Sequence, residues 1–307
     1  MVERGTHKPK VAGSIPAIGT RSKALVVFKK SAYQLFVLES EPSLFHPGKG
    51  PDDKRYLSRF RASHELQKRT LHVVTDALRR EGVLFRTIFR AEDIHYDPYG
   101  LIITVGGDGT FLEAARHTKH QPIIGVNSDP KQSVGKFCSA DAGSFAGLLS
   151  RFLRDRACLT RLPRLCLSLN GKPVDKPVLN EVLISHRNPA AMSRYMLSVG
   201  RVKEEHRSSG LWVSTAAGST AAMRSAGGRT LQWASELLEY RPRELYLGHH
   251  ARYRLRGGVL TRRTTLRVGS LMREGSVYLD GPHHSIPLHY GSVLDISLNA
   301  PPLNRIG

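Results

Sequence analysis

Apolar residues in this chain come in short runs whose spacing changes character near its middle. Residues 24–28 (ALVVF) are almost wholly apolar, as a strand buried on both faces of a parallel sheet must be. A polar, Pro/Gly-rich loop follows at 46–55. Leu66, Leu71, Val74 and Leu78 then recur at helical spacing, which predicts a helix over about 60–80 stopped by Gly82. Strands are expected at 83–89, 101–105 (LIITV) and 122–126, with a helix over about 110–119 before the last. Short apolar strands alternating with helices predict a doubly wound α/β unit. After about residue 162 the texture changes. Residues 165–169, the turn Asn170-Gly171 and 178–185 read as a hairpin. Further short strands are expected at 194–199, 211–214, 243–247, 265–268, 276–279 and 293–298, with one short helix after Gly218. The expected fold class is therefore α/β, with a β-rich C-terminal part. The divisions are an arm over 1–22, expected to be disordered, an α/β domain over 23–156 and a β-rich domain over 157–307.

Composition narrows the function classes. Of 307 residues, 40% are apolar and 23% charged, which excludes a mainly disordered or collagenous protein. No apolar run reaches the length a membrane helix needs, and the first residues carry no apolar signal core, so a cytoplasmic protein is expected. Within the arm, AGSIPAIGT reads like a translated transfer-RNA T-loop, which predicts a true start codon downstream of Met1. Cys138, Cys158 and Cys166 form no CxxC pair and read as reduced thiols. Lys and Arg number 46 against 26 Asp and Glu, a net charge of +20, and much of the excess lies between 201 and 274. Such a field attracts polyanions. Its positions are scattered, without the aromatic interleaving of a single-strand binder, so a basic nucleic-acid-binding protein is kept only as an alternative.

Three segments could carry chemistry. The first, Gly106-Gly107-Asp108-Gly109-Thr110, falls between a buried strand and a helix. Glycines there let backbone N–H groups approach an anion, the helix N-terminus favours negative charge, and strand carboxyl ends are where ligands sit in open α/β sheets. Asp108 fits a base or hydroxyl acceptor, or alternatively a plain N-cap. No GK[ST] follows, so this is not a P-loop. The second is Asn180-Glu181 within an apolar run; adjacent strand residues point to opposite faces, so one of them turns inward and needs a partner. The third runs from Gly210 to Gly228, where a strand leads into tiny residues and the hydroxyls of Ser219 and Thr220. So many small side chains fit a flat ligand against the backbone, or tight helix packing.

Taken in order, these segments resemble the NAD kinases. GGDGT alone is shared with diacylglycerol and sphingosine kinases, so a lipid or sugar kinase is a second alternative. The forms 125–130 (GVNSDP) and 214–222 (STAAGSTAA) look closest to the plant-type branch that favours NADH. The resemblance implies ATP and NAD(H) as substrates, Mg²⁺ with the ATP, and a homodimer or higher homo-oligomer, with polyphosphate as another possible donor. It implies Asp108 as the catalytic base on the adenosine 2′-hydroxyl, and Gly106, Gly107, Gly109 and Thr110 as the ATP-phosphate loop. It also implies dinucleotide contacts from Asn127, Asn180, Glu181, Thr220, Ala221 and Ser225. Two positions depart from the family. Ser209 and Ala222 stand where many members carry Asp and Tyr. A carboxylate near the nicotinamide would favour its cationic, oxidised form. Ser209 in its place therefore predicts NADH used at least as well as NAD⁺.

The remaining polar clusters read as structure. His249-His250 and His283-His284 lack a third ligand at metal spacing and are expected in solvated loops. Asp280-Gly281 is expected to be a hairpin turn, and Gly48-Lys49-Gly50 a plain loop.

Overall fold

The computed structural model describes residues 23–39, 51–248 and 252–307. The expected arm, the Gly48-Lys49-Gly50 loop and His249-His250 lie outside the described residues. Strands β1 (Lys23–Phe28), β2 (Phe85–Phe89), β3 (Tyr99–Gly106) and β4 (Pro122–Asn127) pair in parallel in the order β4-β3-β1-β2. From β1 the chain passes to β2 on one side and then to β3 on the other. The carboxyl ends of β1 and β3 therefore flank the switch point, where doubly wound sheets bind ligands.

Helix α1 (Pro51–Arg80) begins well before the expected residue 60, so part of the expected loop is helical. Pro is tolerated in a first turn, and residues 55–62 are mostly exposed, so these turns carry no apolar period to read. At its other end Val83 N–H donates to Leu78 O at 2.9 Å and Gly82 has φ +67°, the left-handed stop expected there. The buried face differs from expectation. Leu66 is exposed, while His64, Gln67 and Thr70 face inward with Val74 and Leu78. Gln67 Nε2 donates to Val105 O at 3.0 Å, bracing the strand end that leads into the glycine loop.

Helix α2 (Asp108–His117) covers the opposite sheet face, where Phe111, Leu112, Ala114 and Ala115 share a core with Leu25, Val27, Ile102 and Ile123. Helix α3 (Phe145–Leu153) packs beside α1. The short strand β5 (Ala140–Asp141) joins β4.

The second half is β-rich. Strands β6 (Leu159–Leu169), β7 (Lys172–Pro173), β8 (Glu181–His186), β9 (Ser193–Val199), β10 (Val202–Ser208) and β11 (Gly210–Thr215) come first. A 3₁₀ turn (Ala217–Thr220) and helix α4 (Ala222–Ser225) follow. Strands β12 (Leu237–Arg243), β13 (Gly258–Thr261), β14 (Leu266–Ser270), β15 (Gly275–Leu279), β16 (Ser285–Leu288) and β17 (Val293–Ile306) complete the chain. Six of them form a separate antiparallel sheet in the order β13-β12-β11-β8-β15-β16. It packs Val182, Ile184, Val213 and Val277 against Leu197, Val268 and Ile296 of the first sheet.

Three strand expectations are corrected. Residues 165–169 and 178–185 do not form a ladder: β6 pairs with β17 and with the two-residue β7, a single bridge joins Leu165 to Val178, and β8 crosses to the second sheet. The Asn170-Gly171 turn is present, with φ +52° and +79°. The strand expected at 243–247 lies at β12 instead, because pairing with β11 runs from Thr215↔Leu238 to Gly210↔Arg243. Finally, β17 runs past the expected end at 298. Its register shifts on either side of Ala300, next to Pro301 and Pro302, which have no N–H to give. Beyond them Asn304 and Arg305 pair in parallel with Pro122 and Ile123, so Leu303 and Ile306 enter the cores of the first half.

One buried cation ties the halves together. Arg164, on β6 and 1% exposed, donates from Nη1 to Ala115 O and Thr118 O at 3.0 and 2.7 Å. Its Nη2 donates to Lys119 O at 3.0 Å and its Nε to Pro301 O at 2.7 Å. The guanidinium thus caps the negative end of α2. Burial pulls its pKa down to about 10. Arg164→Met would strand these carbonyls without donors, so we expect a loss of about 3 kcal/mol or more. Thermal unfolding measures it, and an unchanged midpoint would show that the clamp contributes nothing.

Candidate active site

The glycine loop leaves β3 at the switch point. Gly107 is the N-cap of α2, and Asp108 is its first residue rather than the cap. The half-buried Asp108 carboxylate is already engaged: Oδ2 accepts Lys136 N–H at 3.0 Å and Oδ1 accepts Phe137 N–H at 2.8 Å. It therefore holds the 133–137 segment over the helix N-terminus. Gly106 is buried against the Thr110 side chain, where a Cβ would overlap Thr110 Oγ1. That hydroxyl is buried without a partner. Gly109 is exposed, with Arg90 beside it.

Asn127, 7% exposed, braces the loop that follows β4. Its Nδ2 donates to Ser133 O at 2.9 Å, and its Oδ1 accepts Asp129 N–H at 3.1 Å.

Lys136 was not singled out in the sequence, and it links two of the motifs. While its N–H meets Asp108, its Nζ donates to Thr220 Oγ1 and lies 4.9 Å from the centre of the Trp233 ring. Burial pulls the ammonium below the usual lysine value, and Asp108 pulls it back. Trp233 also packs on Phe137 and takes Arg305 over its ring at 5.6 Å, while its own Nε1 is buried without a partner.

Asn180 and Glu181 sit where the chain crosses into the second sheet. Thr215 N–H and Ser214 Oγ donate to Asn180 O at 3.0 and 3.2 Å. Gly218 lies so close that a Cβ there would overlap Asn180 O, so the tiny residues of the third motif press on the second. Ser219 is wholly buried; its hydroxyl donates to Ala216 O at 2.8 Å and accepts Leu231 N–H at 3.0 Å. Ala221 is half-buried and Ser225 exposed on the following turn. Asn180 Oδ1 and Glu181 Oε2 are both buried without partners.

What fixes this pair is Asp280. It stands in the expected turn between β15 and β16, with φ +48°, yet its carboxylate is buried. Oδ2 accepts Leu179 N–H at 2.9 Å, and Oδ1 accepts Asn180 N–H at 2.6 Å and Glu181 N–H at 3.2 Å. Next to it, Arg116 of α2 donates from Nη2 to Leu279 O at 3.1 Å while its Nη1 pairs with Glu113 at 2.7 Å. The contacts close a ring. From Asp108 it passes through Lys136, Thr220, Gly218, Asn180, Asp280 and Leu279 to Arg116, and along α2 back to Asp108. No sequence signal marks Lys136 or Arg116 as members, because each acts through a long-range contact; the Asp280-Gly281 turn is legible in the sequence, but its bonds to 179–181 are not.

Ser209 is not in the ring. It precedes β11, and its N–H donates to Arg243 O at 3.0 Å. At about 3.3 Å per residue it lies roughly 20 Å along the strand from the Thr215 end.

Comparison with known proteins decides the family. A family model described as the ATP-NAD kinase N-terminal domain matches residues 52–157. A rice protein named probable NADH kinase is 34% identical over 266 residues, covering 78% of this chain and 81% of its own length. The chain belongs to the ATP-NAD kinase family. An Arabidopsis NADH kinase is 31% identical over 83% of this chain and 87% of its own length. Among solved structures, an Archaeoglobus fulgidus NAD kinase in complex with ATP shares the fold with a TM-score of 0.65 at 22% identity, covering 92% of each chain. Yeast NADH kinase complexed with NADH has a TM-score of 0.67 at 14% identity, over 93% of this chain and 83% of its own. The expected architecture, α/β and then β-rich, is thus that of the ATP-NAD kinase fold.

In this family member Glu181 is a stored electrostatic cost. Desolvation, aided by the Asp280 charge, pushes its pKa up to about 8 from 4.5. A carboxyl raised in this way stabilises the fold most below its unfolded value and loses that stabilisation as pH climbs toward 8. We expect Glu181→Gln to melt at a higher temperature than wild type near pH 8, with the gap closing near pH 5. Melting curves at the two pH values check this; a gap that widens toward acid would reverse the assignment.

Proposed function

We propose that this chain transfers the γ-phosphoryl group of ATP to the adenosine 2′-hydroxyl of NAD(H), forming NADP(H). The observation that carries the reading is the contact ring. It holds a carboxylate at a helix N-terminus on the sheet's switch point, and across from it a pair of buried, unpartnered side-chain acceptors. A lipid or sugar kinase would use Asp108 and leave Asn180, Glu181 and the tight turn at 218–222 idle.

Phosphoryl transfer is chiefly a matter of position and charge. The dinucleotide lies against the surface that Asn180-Glu181 and the 218–222 turn form together, where Asn180 Oδ1 and Glu181 Oε2 await donors such as ribose hydroxyls. Thr220, Ala221 and Ser225 flank it. Asp108 accepts the 2′-hydroxyl and takes its proton as the oxygen attacks the γ-phosphorus and the bond to ADP breaks. Gly106, Gly107 and Gly109 leave room for the phosphates against the backbone, and the positive end of α2 faces them.

Mg²⁺ fits as a companion of the ATP. In such sites it is held by one or two carboxylates together with substrate phosphates rather than by a protein cage. Asp129, 4% exposed with both carboxylate oxygens unpartnered, is the donor that would hold it together with the phosphates. When bound, it would neutralise phosphate charge. The reading includes a homo-oligomer on family likeness and a cytoplasmic place on the unpaired, reduced cysteines; among the described residues no helix is long and apolar enough to cross a membrane.

The test is a coupled assay of NADP(H) formation. Asp108→Asn is expected to lower kcat by about 10² or more. Dinucleotide affinity, measured separately, should hold, which separates chemistry from the loop contacts of Asp108; near-normal turnover would sink the assignment. Substrate choice follows the plant relatives and the missing carboxylate at Ser209. We expect kcat/KM for NADH at least equal to that for NAD⁺, and a strong preference for NAD⁺ would overturn this.

A further inference from the structure

Two cations stand side by side at the switch point, with no carboxylate within ion-pair distance among the described residues. β1 and β2 pair in register up to Phe28 and Phe89, and the next residues are Lys29 and Arg90. Backbone bonds keep these strand ends in place: Arg90 N–H donates to Phe28 O at 2.9 Å and Lys29 N–H to Val105 O at 3.4 Å. Among the described residues, neither side chain makes a hydrogen bond or lies within ion-pair distance of a carboxylate. Lys29 is half-buried, and both desolvation and the neighbouring Arg90 hold its pKa below the usual lysine value, with Asp129 opposing them. A close pair of like charges, partly out of water, is a standing cost that an anion between them would remove.

The Arg90 side chain borders the glycine loop, with Lys29 beside it at the neighbouring strand end. Arg90 Nη1 would lie 3.6 Å from a Cβ on Gly109, the exposed residue that opens the loop to solvent. Arg90 also lines a cleft of about 480 Å³ beside α2, whose polar walls are Lys176 and His284 together with the carboxylates Glu92, Asp93 and Glu113. His284 is tied there by Glu113 Oε1 at 3.3 Å and by the Lys176 ammonium at 3.4 Å.

We infer that Lys29 and Arg90 are the side chains that grip the phosphate chain of the phosphoryl donor, and that the cleft beyond Arg90 receives the rest of it. This rests on the kinase reading for the chemistry, and on the strand-end geometry for the residues. A chain of phosphates carries enough charge to meet both cations at once. The backbone of Gly107 and Gly109 would then lie on its other side. The shared chemistry is the oligophosphate, which a nucleoside triphosphate and inorganic polyphosphate both supply.

Calorimetry with ATP and with inorganic tripolyphosphate, each with saturating Mg²⁺ and no dinucleotide, tests the inference directly. The proteins are wild type, Lys29→Gln, Arg90→Gln and Arg90→Lys, assayed in parallel for KM of ATP and of NAD(H). A lost charge-assisted contact should weaken ATP and tripolyphosphate alike, by roughly tenfold to a hundredfold. The KM for NAD(H) should not move, and Arg90→Lys should recover part of the loss. A loss confined to ATP would place the contacts on the nucleoside and overturn the inference. So would unchanged binding of both probes in an active enzyme. If wild type makes no NADP(H), yet the variants still lose tripolyphosphate, the kinase reading fails and the phosphate grip stands. Variants that lose NAD(H) affinity equally would mark the pair as structural and overturn it too.

Discussion

A carboxylate sealed from water organises the site. Asp280 accepts the N–H groups of three consecutive residues, 179–181, at the point where the chain leaves one sheet for the other. Without such an acceptor those groups would be buried and unpaired, each costing on the order of 1–3 kcal/mol. The bonds do not fully repay the desolvation of the carboxylate itself, whose pKa is pushed up to about 6 despite them and the nearby Arg116. The same three bonds fix the bend at which Leu179 stays in the core of the first half and Glu181 begins its strand in the second sheet. A hairpin reading of this stretch fails for the same reason: N–H groups given to Asp280 are not available to a ladder with β6.

Helix α2 carries the geometry across. Its first residue is Asp108, and its last turns are gripped by Arg164 and linked through Arg116 to the strand end at Leu279. One short rigid element thus sets the distance between Asp108 at the glycine loop and the Asn180-Glu181 pair on the other sheet. Both guanidiniums bind carbonyls, whose geometry fixes the fork more tightly than a lysine would. The positive charge between 201 and 274, 14 Lys and Arg against 6 Asp and Glu, has no explanation in these contacts.

Charge at the site is arranged in opposition. Lys29 and Arg90 stand together at the strand ends with Asp129 only as a more distant counter-charge, while Glu181 and Asp280 are held under conditions that disfavour their ionised forms. Each pair is electrostatically unsatisfied. Tight local packing, with Gly218 against Asn180 and Gly106 against Thr110, keeps these groups from relaxing toward one another.

The sequence by itself determined the class of fold and the three segments that meet at the site. Buried parallel strands must be continuously apolar, and a glycine loop between strand and helix carries its reason in its residue types, so both survive without tertiary information. Element ends were less legible. The first turns of α1 face solvent and carry no period, and Pro301-Pro302 reads as a stop although β17 bulges past it. Only the tertiary structure revealed Arg116, Lys136 and Arg164, and the bonds that Asp280 makes from its turn, because the partners lie tens to more than a hundred positions away. It also separated Ser209 from the motifs near it in sequence, because a strand places its two ends far apart. Local patterning encodes what a segment forms, whereas a buried charge gains its role from the groups that desolvate and bond it, and only the packed chain supplies those.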